Sequence, residues 1–145
     1  MTLYTIGFTE KSASAFFGLL TEAGVRTVAD VRLKNTSQLA GFAKRDDLAF
    51  FLEALGRVGY EHYPELAPTK ELFDGIKKGT TSWAEFSRAF EDLLLQRAVA
   101  KRLRPADFAD ACLLCSEHEP DRCHRRLVAE HLASAWEDVD IVHLT

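Results

Sequence analysis

The segment ACLLCSEHEPDRCHRRLVAEHL, residues 111–132, passes from an apolar run through an acidic loop into a stretch with helical periodicity. The apolar run, taken as residues 109–115, is typical of a strand that is buried on both faces. Leu127 and Leu132 belong to a helical stripe, and Pro120 suits the first turn of that helix. The segment therefore predicts a buried strand, a short loop and a helix that begins at Pro120.

The same alternation of strand and helix patterns runs along the whole chain. Further strands are predicted at residues 3–6, 25–32, 60–64 and 140–144, and helices at 15–24, 47–59 and from 83 onward. Ser82 and Glu85 form a capping box before the last of these helices. The segments 33–42 and 66–80 are predicted as loops, the second with one helical turn. This order predicts a three-layer, Rossmann-like α/β fold with a mainly parallel sheet of about five strands.

The composition limits the class of protein. The chain has 145 residues, 47% of them hydrophobic and 28% charged, so we expect one domain spanning residues 1–145. There is no run of about eighteen apolar residues for a membrane span, and the start does not resemble a signal peptide. Three cysteines without a disulfide-framework spacing fit a reducing compartment, so we expect a cytoplasmic protein. The net charge of −4 argues against a general nucleic-acid coat.

Residues capable of chemistry directly follow several of the predicted strands. Parallel α/β sheets bind their ligands at the carboxyl ends of the strands. The residues predicted at that edge are Gly7 and Thr9 after the first strand, Asp30 and Arg32 at the second, and Cys115 and Glu117 at the fourth. We therefore expect one site at this edge of the sheet.

The junction between the 109–115 strand and the helix after it has the chemistry of an anion site. A helix N-terminus presents unpaired N–H groups, and Arg125 adds formal charge. The same field lowers the pKa of a nearby thiol, so Cys115 is either a nucleophile or a packing residue. Glu117 and His124 are candidates for proton transfer. We expect a small anionic ligand, such as a nucleotide, a phosphosugar or a nucleic-acid fragment.

Asp30 and Arg32 point to the same face if their strand stays extended. They predict either a structural ion pair or an anion-binding arginine that the carboxylate orients. The loop that follows supplies side chains suited to hydrogen bonding with a base or a sugar: Lys34, Asn35, Ser37 and Gln38.

Two more specific interpretations of the junction are weakened by spacing. A structural zinc site would use four candidates, Cys115, His118, Cys123 and His124. Because Cys123 and His124 are adjacent on a predicted helix, their side chains should diverge by about 100°. A phosphatase loop has a shorter cysteine-to-arginine spacing than Cys115 and Arg122 have here, and the loop between them lacks glycine. We therefore predict no metal and no cofactor.

Two other functional classes stay open. Cys115 and Cys123 are a candidate pair for thiol-based redox or rhodanese-like sulfur chemistry, at a wider spacing than the C-x-x-C of thioredoxins. The basic residues Lys101, Arg102 and Arg104 are a candidate contact for DNA or for a partner protein.

Taken together, the motifs resemble the prokaryotic family called domain of unknown function 488. The resemblance covers essentially the whole chain and rests on TIG (5–7), DVR (30–32), YEHYPEL (60–66) and CSEHEPDRCHRRLVAEHL (115–132). The family pattern of Cys-x-Glu, a spacer and Cys-His-Arg is matched at Cys115, Glu117, Cys123, His124 and Arg125. The loop KNTSQLAGF and the Leu-Ala-Pro of residues 66–68 depart from many members. The resemblance implies a compact α/β fold and a site at these residues, and it implies no reaction.

Overall fold

A computed structural model of the chain describes residues 1–36 and 41–145. The strands in these ranges are β1 (Thr2–Gly7), β2 (Thr27–Asp30), β3 (Gly59–His62), β4 (Ala111–Cys115) and β5 (Asp140–Leu144). The α-helices are α1 (Ala13–Ala23), α2 (Arg45–Gly56), α3 (Lys70–Lys78), α4 (Trp83–Gln96), α5 (Val99–Arg102), α6 (Pro105–Phe108) and α7 (His124–Ala135). Short 3-10 helices cover Gly41–Ala43 and Pro64–Leu66. No helix within the described ranges has the length and apolar character needed to cross a membrane.

The strands form one parallel sheet in the order β3-β2-β4-β1-β5. The neighbours of β4 are β1 and β2, and the register places Gly7 opposite Cys115 and Asp30 opposite Leu114. Because parallel strands end at the same edge, the loops after β1, β2 and β4 meet there. The predicted α/β fold with a parallel sheet is confirmed.

Apolar side chains pack on both faces of the sheet. Leu113 of β4 belongs to one core cluster, with Phe90 of α4 and Leu132 of α7. Leu114, the next residue, belongs to a second cluster that includes Phe16 of α1. Successive strand residues point to opposite faces of the sheet, so each face of β4 packs against helices. The sheet and the helices on its two faces are the three layers of the fold.

Capping residues set the ends of several helices. The Ser12 hydroxyl oxygen accepts the Ala15 N–H at 3.1 Å and begins α1, and Gly24, with a φ of 74°, ends it. At the start of α4, the Glu85 N–H donates to the Ser82 hydroxyl at 3.1 Å, and the Ser82 N–H donates to the Glu85 carboxylate at 3.2 Å. The predicted capping box is therefore confirmed.

The prediction of a loop with one helical turn over residues 66–80 is wrong, because α3 is a complete helix. The Thr69 hydroxyl caps its N-terminus by accepting a backbone N–H at 3.2 Å, and Gly79, with a φ of 75°, ends it. Leu72 and Ile76, four residues apart, pack against the core. Two caps and a narrow apolar stripe thus stabilise a helix whose sequence is mostly polar.

The helix predicted to begin at Pro120 begins at His124. The Cys123 N–H donates to the Pro120 carbonyl at 3.2 Å and closes a separate turn. Cys123 is then extended, with φ −128° and ψ 137°, and serves as the N-cap of α7. The first helical turn therefore contains His124 and Arg125, as predicted, but not Cys123.

Candidate functional site

A cleft of about 910 Å³ lies over the carboxyl ends of β1, β2 and β4. Its charged lining consists of Glu10, Lys11, Arg32, Lys34, Lys77, Glu117 and Arg122. Its aromatic lining consists of Phe8, Phe42, Phe73, Trp83 and Phe86. Cys115, Cys123 and His124 form its buried floor. The cleft that the described residues enclose therefore lies at the edge of the sheet where the sequence predicted a site.

Asp30 and Arg32 form a buried ion pair at the end of β2. The Nε and Nη2 atoms of Arg32 each donate at 2.9 Å to a different carboxylate oxygen of Asp30. The Tyr60 hydroxyl donates to the same carboxylate, and the His62 Nε2 lies 3.0 Å from the Arg32 carbonyl oxygen. Among the described residues, Nη1 of Arg32 has no hydrogen-bond partner. The pair fixes the orientation of the Arg32 guanidinium at the end of β2.

The His124 ring is held between a backbone carbonyl and the sulfur of Cys115. Its Nε2 lies 2.7 Å from the carbonyl oxygen of Val31, so this nitrogen carries the proton that it donates. In the neutral ring Nδ1 is then unprotonated, and it lies 3.4 Å from Cys115 Sγ. One hydrogen bond thus fixes both the tautomer and the direction of the Nδ1 lone pair.

The pKa values of the two cleft cysteines are displaced in opposite directions. Hydrogen bonding by the Cys123 thiol is the largest influence on the pKa of Cys115 and lowers it, against the opposing effect of burial. Backbone N–H groups of Ser116 and Glu117 lower it further. The same hydrogen bond and burial hold the pKa of Cys123 well above its ordinary value. Cys115 is therefore the more readily ionised of the pair.

Cys115, Cys123 and His124 bring two sulfur atoms and a ring nitrogen within 4.8 Å of one another. The expectation that Cys123 and His124 diverge is wrong, because Cys123 is the extended N-cap and not a helical residue. His118, the fourth candidate, lies elsewhere, with its Nδ1 3.2 Å from the Lys11 Nζ. Three of the four candidates for a metal site therefore converge.

The loop after β4 approaches β1 at a position that only glycine fits. A Cβ atom on Gly7 would lie 1.6 Å from the Glu117 carbonyl oxygen. Arg125 is fully buried and donates to two carbonyls of this loop, including that of Glu117. Thr9 donates its N–H to the Ser116 carbonyl at 3.0 Å. These three predicted residues thus position the loop that carries Glu117 into the cleft.

The loop after β2 contributes to the cleft through Lys34. Its Nζ lies 5.4 Å from the centre of the Phe73 ring. Asn35 is buried and donates to the Tyr60 hydroxyl at 3.4 Å, so it supports the residues behind the cleft. Two predicted residues lie outside the described ranges: Ser37 and Gln38.

The profile of one protein family, described as Domain of unknown function DUF488, matches residues 12–132. The chain belongs to this family. The match includes the ion pair of Asp30 and Arg32 and the floor residue Cys115, whereas Gly7 precedes it. Comparisons with curated proteins and with solved structures gave no match. Membership confirms the resemblance drawn from the motifs, and it assigns no reaction to the cleft.

Several cleft residues of this DUF488 member are not among those predicted from the sequence, including Lys11, Phe73 and Lys77. Phe73 and Lys77 lie on α3, which the capping residues Thr69 and Gly79 could have revealed. Lys11 belongs to a loop between β1 and α1, where an isolated cation carries no sequence signal.

The contact between Tyr60 and Asp30 predicts an unusual tyrosine titration. Burial, followed by the hydrogen bond and charge of Asp30, raises the pKa of Tyr60. In an absorbance titration, we expect the last phenol phase of the wild-type protein to disappear in Tyr60→Phe. Because the pKa is raised in the folded state, the stabilisation is complete below the unfolded value of about 10 and is lost as the pH rises above it. Identical high-pH titrations of the two proteins would contradict the contact.

Proposed function

We propose that the cleft binds a small anionic molecule with a planar part, of which a nucleotide is the best match. The observation that carries the proposal is the charge of the lining. Five of the seven charged residues that line the cleft are cationic, whereas the whole chain has a net charge of −4. A concave surface that concentrates positive charge on an acidic protein favours an anionic ligand.

The cations reach the cleft from separate elements. Lys34 follows β2, Lys77 belongs to α3, and Arg122 precedes α7, so they surround the space instead of forming one solvated helix face. Arg32 adds its Nη1, to which no described residue hydrogen-bonds, at the base, with Asp30 as the residue that orients it. We assign the phosphate or another anionic group of the ligand to these cations.

Aromatic rings supply the second element of recognition. Phe8, Phe73 and Trp83 are only partly buried and line the cleft. Arginine and lysine side chains already lie over the Phe8 and Phe73 rings. A planar base would stack on a ring face that they leave open, and one stacked base contributes about 1–3 kcal/mol. The combination of cations and partly exposed rings favours a nucleotide over a phosphosugar.

Glu117 and the floor residues are the groups proposed to carry out any reaction. The Glu117 side chain is exposed in the cleft and is the candidate for proton transfer. Cys115 and His124 lie at the floor, and the Cys115 sulfur is 3.4 Å from Nδ1 of the His124 ring. Their place beneath the proposed ligand makes them the reactive centre of this cleft.

Calorimetry with nucleoside monophosphates, ribose 5-phosphate and inorganic phosphate tests the binding. We expect the nucleotides to bind most tightly, with affinity that falls as salt is added. Removing a cation in Lys34→Ala or Arg122→Ala should weaken binding about 5-fold, which corresponds to roughly 1 kcal/mol. Phe73→Leu should weaken the nucleotides without changing ribose 5-phosphate.

Lys101→Ala is the matched control because Lys101 is an exposed cation on α5, outside the cleft lining. It removes the same charge from the protein and should leave all affinities unchanged. Absence of binding by every compound in low salt, or an equal loss in Lys101→Ala, would overturn the proposal.

A thiol function is the second candidate, because the Sγ atoms of Cys115 and Cys123 lie within 4.8 Å in the floor. With hydrogen peroxide as the oxidant, the two thiols would lose two electrons and two protons to form a disulfide, and the peroxide would become two water molecules. Peptide mass spectrometry should then find a Cys115–Cys123 crosslink and none to Cys112. Oxidation without any crosslink would contradict this candidate.

A further inference from the structure

The floor of the cleft has the composition of a metal centre. Two cysteine sulfurs and one histidine nitrogen, from Cys115, Cys123 and His124, lie within 4.8 Å of one another. All three residues are buried, and all three line the cleft. Soft sulfur ligands together with an imidazole favour a thiophilic ion such as Zn²⁺ over Mg²⁺ or Ca²⁺.

The spacing of these atoms matches a tetrahedral site. Zinc bonds of about 2.3 Å to sulfur and about 2.1 Å to nitrogen, at the tetrahedral angle, put the two ligand atoms roughly 3.6 Å apart. Cys115 Sγ and His124 Nδ1 are 3.4 Å apart. This separation matches one edge of a tetrahedral site. The same sulfur lies 3.9 Å from His124 Nε2, so the ring must also rotate for its Nδ1 lone pair to reach the shared ion.

The surroundings of His124 are those of a metal ligand. Its Nε2 donates to the Val31 carbonyl at 2.7 Å, which leaves Nδ1 unprotonated, at 3.4 Å from the sulfur of Cys115. Ligating histidines in metalloproteins are oriented in this way, with the second ring nitrogen donating to a carbonyl or carboxylate. The hydrogen bond thus prepares the nitrogen that would bind the ion.

Cysteine binds a metal ion as the thiolate. The loop that follows Cys115 is held by Arg125, which donates to the Glu117 carbonyl. Two thiolates neutralise the charge of a divalent ion, so the buried site would carry no net charge from ion and ligands together.

We propose that Cys115, Cys123 and His124 bind one thiophilic divalent ion, Zn²⁺ being the best match. Three protein ligands leave the fourth tetrahedral position open, as in catalytic zinc sites. Since all three ligands line the cleft, the open position faces the cleft and takes a water molecule or an oxygen of the anionic ligand. This last role rests on the proposed function, whereas the metal site itself does not.

Titration of the full-length, reduced, chelator-treated protein with Co²⁺ and Zn²⁺ tests the site. Tetrahedral thiolate coordination gives Co²⁺ strong visible ligand-field bands and a near-ultraviolet sulfur-to-metal charge-transfer band. We expect both, saturating at one ion per chain and displaced by Zn²⁺. Cys115→Ser, Cys123→Ser and His124→Asn should each weaken binding by more than the 10–100-fold that is typical for loss of a residue supporting a metal ligand.

Cys112→Ala is the matched control. Cys112 is a fully buried cysteine of β4 that belongs to the core cluster on the α1 side of the sheet. Its loss should leave the Co²⁺ spectrum and affinity unchanged. A wild-type protein that gives neither band, or spectra that persist unchanged in Cys115→Ser and Cys123→Ser, would overturn the proposal.

Protection of the thiols from alkylation is a second test of the site. It uses the wild-type protein, so it requires no substitution that could impair folding. Zn²⁺ should slow alkylation of Cys115 and Cys123, and a chelator should restore it; equal rates with and without Zn²⁺ would also overturn the site.

Calorimetry with nucleotides, repeated on the metal-free and Zn²⁺-loaded protein, separates the two proposals. Nucleotide binding by a protein that takes no metal contradicts only the metal site, and metal binding without nucleotide binding contradicts only the proposed function.

Discussion

Gly7→Ala is expected to lower the free energy of unfolding by about 3 kcal/mol, the upper end for overpacking a well-packed interior. The added Cβ would lie 1.6 Å from the Glu117 carbonyl oxygen and 3.0 Å from Nη1 of Arg125. A backbone carbonyl that a buried guanidinium holds in place has little freedom to move aside. Urea unfolding measures the loss, and nucleotide calorimetry should show weaker binding because the displaced loop lines the cleft.

Gly18→Ala is the matched control for this substitution. Gly18 lies within α1, and a Cβ there would meet nothing within 4 Å. The same chemical change should stabilise the protein by roughly 0.5–1 kcal/mol, because alanine has a higher helix propensity than glycine. Equal stability of Gly7→Ala and wild type would show that the loop does not contact β1 as described.

Asp30→Asn is expected to lower the free energy of unfolding by about 3–5 kcal/mol, the range for breaking a buried ion pair by removing one partner. The Asp30 side chain is fully buried and accepts two hydrogen bonds from the Arg32 side chain. An uncharged amide leaves the guanidinium without its counter-charge, and the Tyr60 hydroxyl loses a charged acceptor. Chemical denaturation measures the effect.

Asp46→Asn is the control, because the Arg45–Asp46 pair is exposed, with side-chain exposures of 48% and 87%. Its loss should change stability by less than about 1 kcal/mol. In a double-mutant cycle, Asp30→Asn combined with Arg32→Gln should lose less stability than the sum of the single changes. Strict additivity would show that the two side chains do not act as a pair.

The elements with strong local signals were predicted well. β-prone composition and length were enough to predict the strand at residues 140–144 and the apolar strand at 111–115. The capping box of Ser82 and Glu85 marked the start of α4. By contrast, α3 was not predicted, because most of its residues are polar and its apolar stripe is narrow. The start of α7 was misplaced because Pro120 begins a turn that ends before the helix.

The candidate site was predicted by position but not by geometry. The rule for parallel sheets brought Asp30, Arg32 and Cys115 to one edge, and the register confirms that β2 and β4 are neighbours there. The convergence of Cys123 with His124 depends on one extended residue before a helix, and helical spacing led to the opposite expectation.

The sequence by itself determined the α/β class, the family and the edge of the sheet at which the candidate site lies, because these follow from periodicity, strand order and contiguous motifs. Only the tertiary structure showed that a carbonyl oxygen of the loop after β4 occupies the space that a side chain at Gly7 would need. It also showed that the buried Arg125 side chain hydrogen-bonds to two carbonyls of this loop. It also decided that Cys115, Cys123 and His124 share one floor. Such contacts join residues on different elements, whose distances depend on how the strands and helices pack and cannot be read from spacing along the chain.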